Sequence, residues 1–233
     1  MENAHIVTRF DKDLDRIKTR VLEMGDLVSA QMSQATDLLQ VFDAPEAARL
    51  IARDRKVNGM AKNIQTRAER LIALRQPVAL DLRAALSPIN IAFELERIGD
   101  HAKSCAKSAR KLAEAPADSA ALQIVLEMSA LVQVMLSDVL TAYDHSDTDL
   151  AADVRARDKL VDRLNKTMFE TGVGSITAAP ADAPAFVHKI LLARNFERVG
   201  DHIVNIARHV HKIVTGEDLK ASDRGFATGK STL

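Results

Sequence analysis

Apolar residues at Ile91, Leu95, Ile98, Ala102, Cys105, Ala109 and Leu112 step by four and three, the spacing that lines one face of an α-helix. A shift of 101 residues turns the series into Leu192, Phe196, Val199, Ile203, Ile206, Val210 and Ile213, again all apolar. The surrounding segments, FELERIGDHAKSCA from Phe93 and RNFERVGDHIVNIA from Arg194, also share ER and GDH in the same register. Sliding two amphipathic helices past one another aligns apolar positions but not the polar letters between them. The chain therefore reads as a tandem repeat, and each half must build a similar unit around its signature helix.

Helical periodicity fills the rest of each half. Phe10, Leu14, Ile17, Val21, Met24, Val28, Ala35, Leu38 and Phe42 form a coiled-coil-like seam that only Gln31 interrupts. A helix over 6–42 would be roughly 55 Å long. Asp43 and Pro45 read as a stop and a new start. A second helix to about Leu74 follows, with Leu50, Val57, Ala61, Ile64, Ala68 and Leu71 on one face. The third spans about 80–113, and the others about 118–144, 147–171 and 182–215, the last set off by GVGSITAAPADAP. Asp81 and Asp182, again 101 apart, read as helix-start acids. EAPADS is the linker. The predicted fold is all-α, two tandem three-helix bundles at 1–115 and 116–216 with a loose tail at 217–233.

Composition narrows the function classes. Lys+Arg and Asp+Glu both number 32, which argues against a nucleic-acid partner. Cys105, the one cysteine, sits in an apolar series and excludes an intrachain disulfide. With no recognisable signal peptide, that favours a cytoplasmic setting. No apolar run suggests a transmembrane span, so contact with a membrane is expected only through partners. Walker, dinucleotide-binding, nucleophile-elbow and zinc-protease motifs are missing, and no catalytic site is expected.

The signature helices carry costly residues twice. Glu96 and Asp100 lie one turn apart on one face, as do Glu197 and Asp201. Gly99 and Gly200 between them each cost up to about 1 kcal/mol against alanine. On a helical wheel the acids fall nearly opposite the main stripe, as in a surface site, and the glycine permits close approach. On the second helix of each half, Asp54 and Asn58 flank Val57, and Asp158 and Asp162 flank Val161. If second and third helices are neighbours, the acid pairs face across a groove. All-oxygen donor sets suit hard divalent ions such as Mg²⁺, Mn²⁺ or Fe²⁺. His101 and His202 follow the acids and are candidate outer contacts, with Asn58. The plain alternative is a solvated acidic face paired with Arg97 and Arg198, an adaptor surface for a basic partner. A ferritin-like di-metal enzyme would instead need Glu-x-x-His spacing aimed into the core.

LERIGDHAKSCA and FERVGDHIVNIA, with their upstream aspartates and the lead-in QPVALDLRAAL, resemble the two signature helices of the PhoU family of phosphate-transport regulators. The resemblance spans about 5–215. It implies two three-helix bundles and multinuclear metal clusters of Fe, Zn, Mn or Mg held by acid-x-x-x-acid pairs. The first site would use Asp54, Glu96 and Asp100, and the second Asp158, Asp162, Glu197 and Asp201. Asn58 departs from the acid expected there. The implied role is a cytoplasmic, non-enzymatic regulator, acting as a homodimer. It would restrain the high-affinity phosphate ABC transporter through its ATPase subunit and hold the phosphate-sensing histidine kinase, PhoR, in its repressing state.

Overall fold

A computed structural model describes residues 2–113, 120–178, 181 and 183–217. Among them lie six helices and no strand: α1 (Glu2–Gln40), α2 (Ala44–Arg75), α3 (Ala79–Leu112), α4 (Ala120–His145), α5 (Thr148–Ala178) and α6 (Ala183–Thr215). The expected all-α class is observed. Helices α1, α2 and α3 pack together, as do α4, α5 and α6, and α3 and α6 lie against each other between the two bundles. The linker EAPADS, Asp182 and the tail beyond Glu217 fall outside the described residues.

The stripes read from sequence form the core. Ile91, Leu95, Ile98, Ala102, Cys105 and Ala109 are buried, and so are Leu192, Phe196, Val199, Ile203, Ile206 and Val210. Ile17, Val21, Met24, Val28, Ala35 and Leu38 of α1 are buried too, each large side chain contributing about 1.5–3 kcal/mol. Gln31 is buried in the same seam, with neither amide atom in a hydrogen bond. Its side chain faces Gly99: a Cβ at that glycine would stand 3.4 Å from Gln31 Oε1.

Local chemistry explains most helix ends. The Glu46 backbone N–H donates to the Asp43 carboxylate at 2.8 Å, and Pro45 opens the first turn of α2. Asp147 caps α5 by accepting from the N–H groups of Asp149 and Leu150. Asp81 is not a cap: Val78 holds that position without a side-chain bond, and Asp81 sits in the first turn, complementing the helix dipole.

Two expectations need correction. Helix α5 does not end near 171 but runs through Gly172 and Gly174 to Ala178. Gly172 lets α5 press against α6, since a Cβ there would stand 2.6 Å from Ile190 Cδ1. That packing offsets the weak helix propensity of glycine. Second, α4 is long and apolar enough by length and composition to cross a membrane, with a mean hydropathy of 1.6. Its Val125, Met128, Val132, Met135 and Val139 are nevertheless core residues of the second bundle.

Candidate functional site

The second and third helices of each half are neighbours, as the site requires, and α3 and α6 are buried on two sides. One side is the stripe within the bundle. The other is the α3–α6 seam, where His202 meets Glu94; Ala92, Glu94 and Ala106 of α3 and Ala193, Val204 and Ala207 of α6 are buried outside the stripe. The acids lie between these faces. Glu96, Asp100, Asp158, Glu197 and Asp201 are half-buried, Asp54 is buried, and Asn58 and Asp162 are exposed. The signature-helix acids, expected at the surface, are thus half-buried, because a helix shared between two bundles keeps little open surface.

In the first half a lysine joins the acids. Lys103 Nζ donates to Asp54 Oδ2 at 2.7 Å and to Asp100 Oδ1 at 2.8 Å, tying α2 to α3. Hydrogen bonds to Asp100, then to Asp54, hold the Lys103 pKa above its ordinary value despite some desolvation. Arg97 reaches the other Asp100 oxygen only at 3.9 Å. Asp54 Oδ1 is buried and makes no hydrogen bond.

The second half is built differently. The residue matching Lys103 is Val204, which is buried. Asp158 Oδ1 lies 2.6 Å from where a Cβ at Gly200 would stand, so glycine is needed for that carboxylate to approach α6. Glu197 Oε2 is buried without a hydrogen bond; Arg198 Nε is 3.7 Å from it, and Arg194 reaches Glu197 Oε1 at 3.6 Å. Burial pushes the Glu197 pKa up; Arg194 and Arg198 pull it down, and Asp201 and Asp162 push it further up. Four carboxylates therefore lie on facing helices, with Arg194 3.6 Å from Glu197 Oε1 and Arg198 3.9 Å from Asp201 Oδ2.

His101 and His202 belong to the seam. His202 Nδ1–H donates to Glu94 Oε2 at 2.6 Å, and His101 Nδ1 lies 3.4 Å from Asn195 Oδ1. The imidazole centroids are 5.5 Å apart. Glu94 and Asn195, like His101 and His202, are repeat mates, so the two contacts are images of one another and α3 and α6 run antiparallel. Burial, then His202, lowers the His101 pKa. Cys105 is core, its thiol pushed up to about 12 by burial.

Among the described residues no three His, Cys, Asp or Glu side chains converge as a ready ion site. The first half, with Lys103 between its acids, does not fit a metal. The second half fits one in donor type and charge: a buried, unbonded carboxylate oxygen and a glycine-cradled aspartate are what a cation would satisfy. A groove of about 950 Å³ lies elsewhere, lined by Phe42, Ile51, Lys107, Arg110 and His188 among others and by none of these acids. Sequence reasoning missed Lys103 and Glu94. Lys103 was detectable as the charged mate of a valine, and Glu94 as the acid mate of an asparagine.

Fold and site define a class: a duplicated helical protein whose two antiparallel signature helices each present an acid-x-x-x-acid pair at the join between bundles. The PhoU domain family model matches residues 21–109 and again 125–210. A PhoU homologue from Caulobacter vibrioides, named a phosphate-specific transport system accessory protein, is 37% identical over 92% of this chain and 94% of that protein. The homologue of the same name from Pseudomonas aeruginosa is 34% identical over 93% of this chain and 89% of its own length. The crystal structure of PhoU from Pseudomonas aeruginosa superposes with a TM-score of 0.86, at 34% identity, covering 89% of this chain and all of that one. That of the phosphate transport system regulatory protein PhoU from Streptococcus pneumoniae gives 0.84 at 26% identity, covering 90% of this chain. The chain belongs to the PhoU family.

Proposed function

We propose that this chain is a cytoplasmic accessory regulator of phosphate-specific transport. It restrains uptake by the high-affinity transporter and phosphate-starvation signalling by the sensor kinase when phosphate is plentiful. The observation that supports this most is family membership along almost the whole chain, with both signature helices in equivalent places. A regulator of this kind acts through surfaces, and its partners are the transporter's ATPase subunit and the kinase. Asp158, Asp162, Glu197 and Asp201 would hold a divalent metal, which would relieve their mutual repulsion and brace α5 against α6. The test is a strain lacking the gene, carrying a reporter of phosphate-starvation expression. High reporter output in rich phosphate is expected; output unchanged from the parent, with no second copy present, refutes the role. A second reading, a metal-free adaptor, draws support from the lack of a ready three-ligand site among the described residues. Metal content after chelation and reloading separates the two.

A further inference from the structure

We infer that Lys103 is the resident cation of the first half: its ammonium stands between Asp54 and Asp100, where a divalent ion would otherwise bridge α2 to α3, so metal uptake is confined to the second half. The metal side of this inference rests on the reading proposed above. The ammonium bonds one carboxylate on each helix, at 2.7 and 2.8 Å, and takes the oxygens an incoming ion would need. Arg97 to Asp100 and Arg198 to Asp201 are both 3.9 Å, so this pair does not distinguish the halves, although Arg194, 3.6 Å from Glu197 Oε1, stands where the first half has Phe93. Lys103 does distinguish them, because its mate is the buried Val204. Asn58 acts in the same sense, a neutral amide where the second half has Asp162. The first half thus offers three carboxylates, two of them bridged by an ammonium, and the second offers four carboxylates flanked by Arg194 and Arg198. Fewer charged oxygen ligands mean weaker divalent binding. The aspartates also point differently. Asp158 leans over Gly200, but the atoms nearest the matching point at Gly99 come from Gln31 and Val57, and Asp54 is turned to Lys103 instead.

The test uses the full chain and has two readouts. In chelator, Lys103→Met should lower Tm by roughly 5 °C, because it strands a buried carboxylate. Adding Asp54→Asn to that variant should recover most of the loss. Lys103→Met without a thermal effect would overturn the inference whatever metal does. The second readout is Mn²⁺ uptake by equilibrium dialysis. Wild type should lose its uptake with Asp158→Asn/Asp201→Asn and keep it with Asp100→Asn. Asn58→Asp/Lys103→Met should take up about twice the wild-type amount, the first half then also offering four carboxylates with no ammonium across them. Wild-type uptake that this double variant does not exceed sinks the inference alone. Uptake by the double variant with none by wild type sinks the second-half metal reading and supports Lys103 as the block. No uptake by either form sinks both.

Discussion

The two signature glycines, repeat mates at 99 and 200, should respond oppositely to alanine. Both lie inside helices, where Gly→Ala gains up to about 1 kcal/mol in helix propensity and unfolded-state entropy. A Cβ at Gly99 would sit 3.4 Å from Gln31 Oε1 and from Val57 Cγ1, which is ordinary contact. Gly99→Ala should therefore keep most of its gain, and a rise in Tm of about 2–3 °C follows for a chain of this length. At Gly200 the new methyl would stand 2.6 Å from Asp158 Oδ1, so the carboxylate must swing away. Forcing a side chain off its rotamer costs about 0.5–1.5 kcal/mol, which cancels the gain. Gly200→Ala should leave the metal-free Tm nearly unchanged. It should also weaken metal binding by about tenfold or more, the size of effect seen when a ligand's orientation is lost. Thermal melts in chelator followed by Mn²⁺ titration of both variants measure each half of this reasoning. Equal gains in Tm from both substitutions would refute the geometric part. A weaker site in Gly99→Ala than in Gly200→Ala would refute the ligand assignment.

Two further substitutions probe the charges. Glu197→Gln should raise the metal-free Tm at neutral pH. The folded-state pKa of Glu197 lies above its unfolded value, so ionising it costs stability that is intact below the unfolded pKa and lost as pH rises through the folded one. The advantage of glutamine should fade as pH falls to about 4, where the wild-type carboxyl is protonated, and an advantage independent of pH would contradict the assignment. At the seam, Glu94→Gln should cost about 1–2 kcal/mol in urea unfolding by weakening the charge-assisted bond from His202. In a His202→Phe background that cost should shrink, and a full cost there would show that the pair is not coupled.

The fold was readable because burial writes itself directly into helical spacing. Ile91 to Leu112 and their mates 101 residues on needed no knowledge of neighbours. The end of α5 was not readable, because what holds Gly172 in a helix is Ile190 on another element. The exposure of the acids failed for a related reason. A wheel drawn on one stripe assumes one buried face, whereas α3 and α6 have two. The second face is small and mixed, with Ala92, Glu94 and Ala106, and its period is lost under the stronger stripe. Glu94 and the histidines therefore read as surface residues, although they pair across the seam.

The site was half-readable, and the unread half lay in the mismatches between repeats. Packing restrains both stripes alike, because each must fill a bundle of the same kind. Nothing in that requirement restrains the groove between second and third helices, so charge there is free to differ between halves. Phe93 against Arg194 puts a guanidinium beside Glu197 in the second half, while Asn58 against Asp162 and Lys103 against Val204 act on the acids of the first. Each of the last two makes the first half less negative, one by removing an acid and the other by adding an ammonium. Asn58 alone would leave three carboxylates crowded with Asp54 buried, an arrangement that raises the cost of every remaining charge. Lys103 offsets part of that cost by pairing with Asp54 Oδ2, Oδ1 staying without a hydrogen bond, and ties its helix to α3. The first half thereby keeps the α2–α3 bond that a bridging ion would have supplied. In the second half, Glu197 is flanked by Arg194 and Arg198 at 3.6 and 3.7 Å, both on α6 itself, so a cation taken up by these acids would do for α5 and α6 what Lys103 does for α2 and α3.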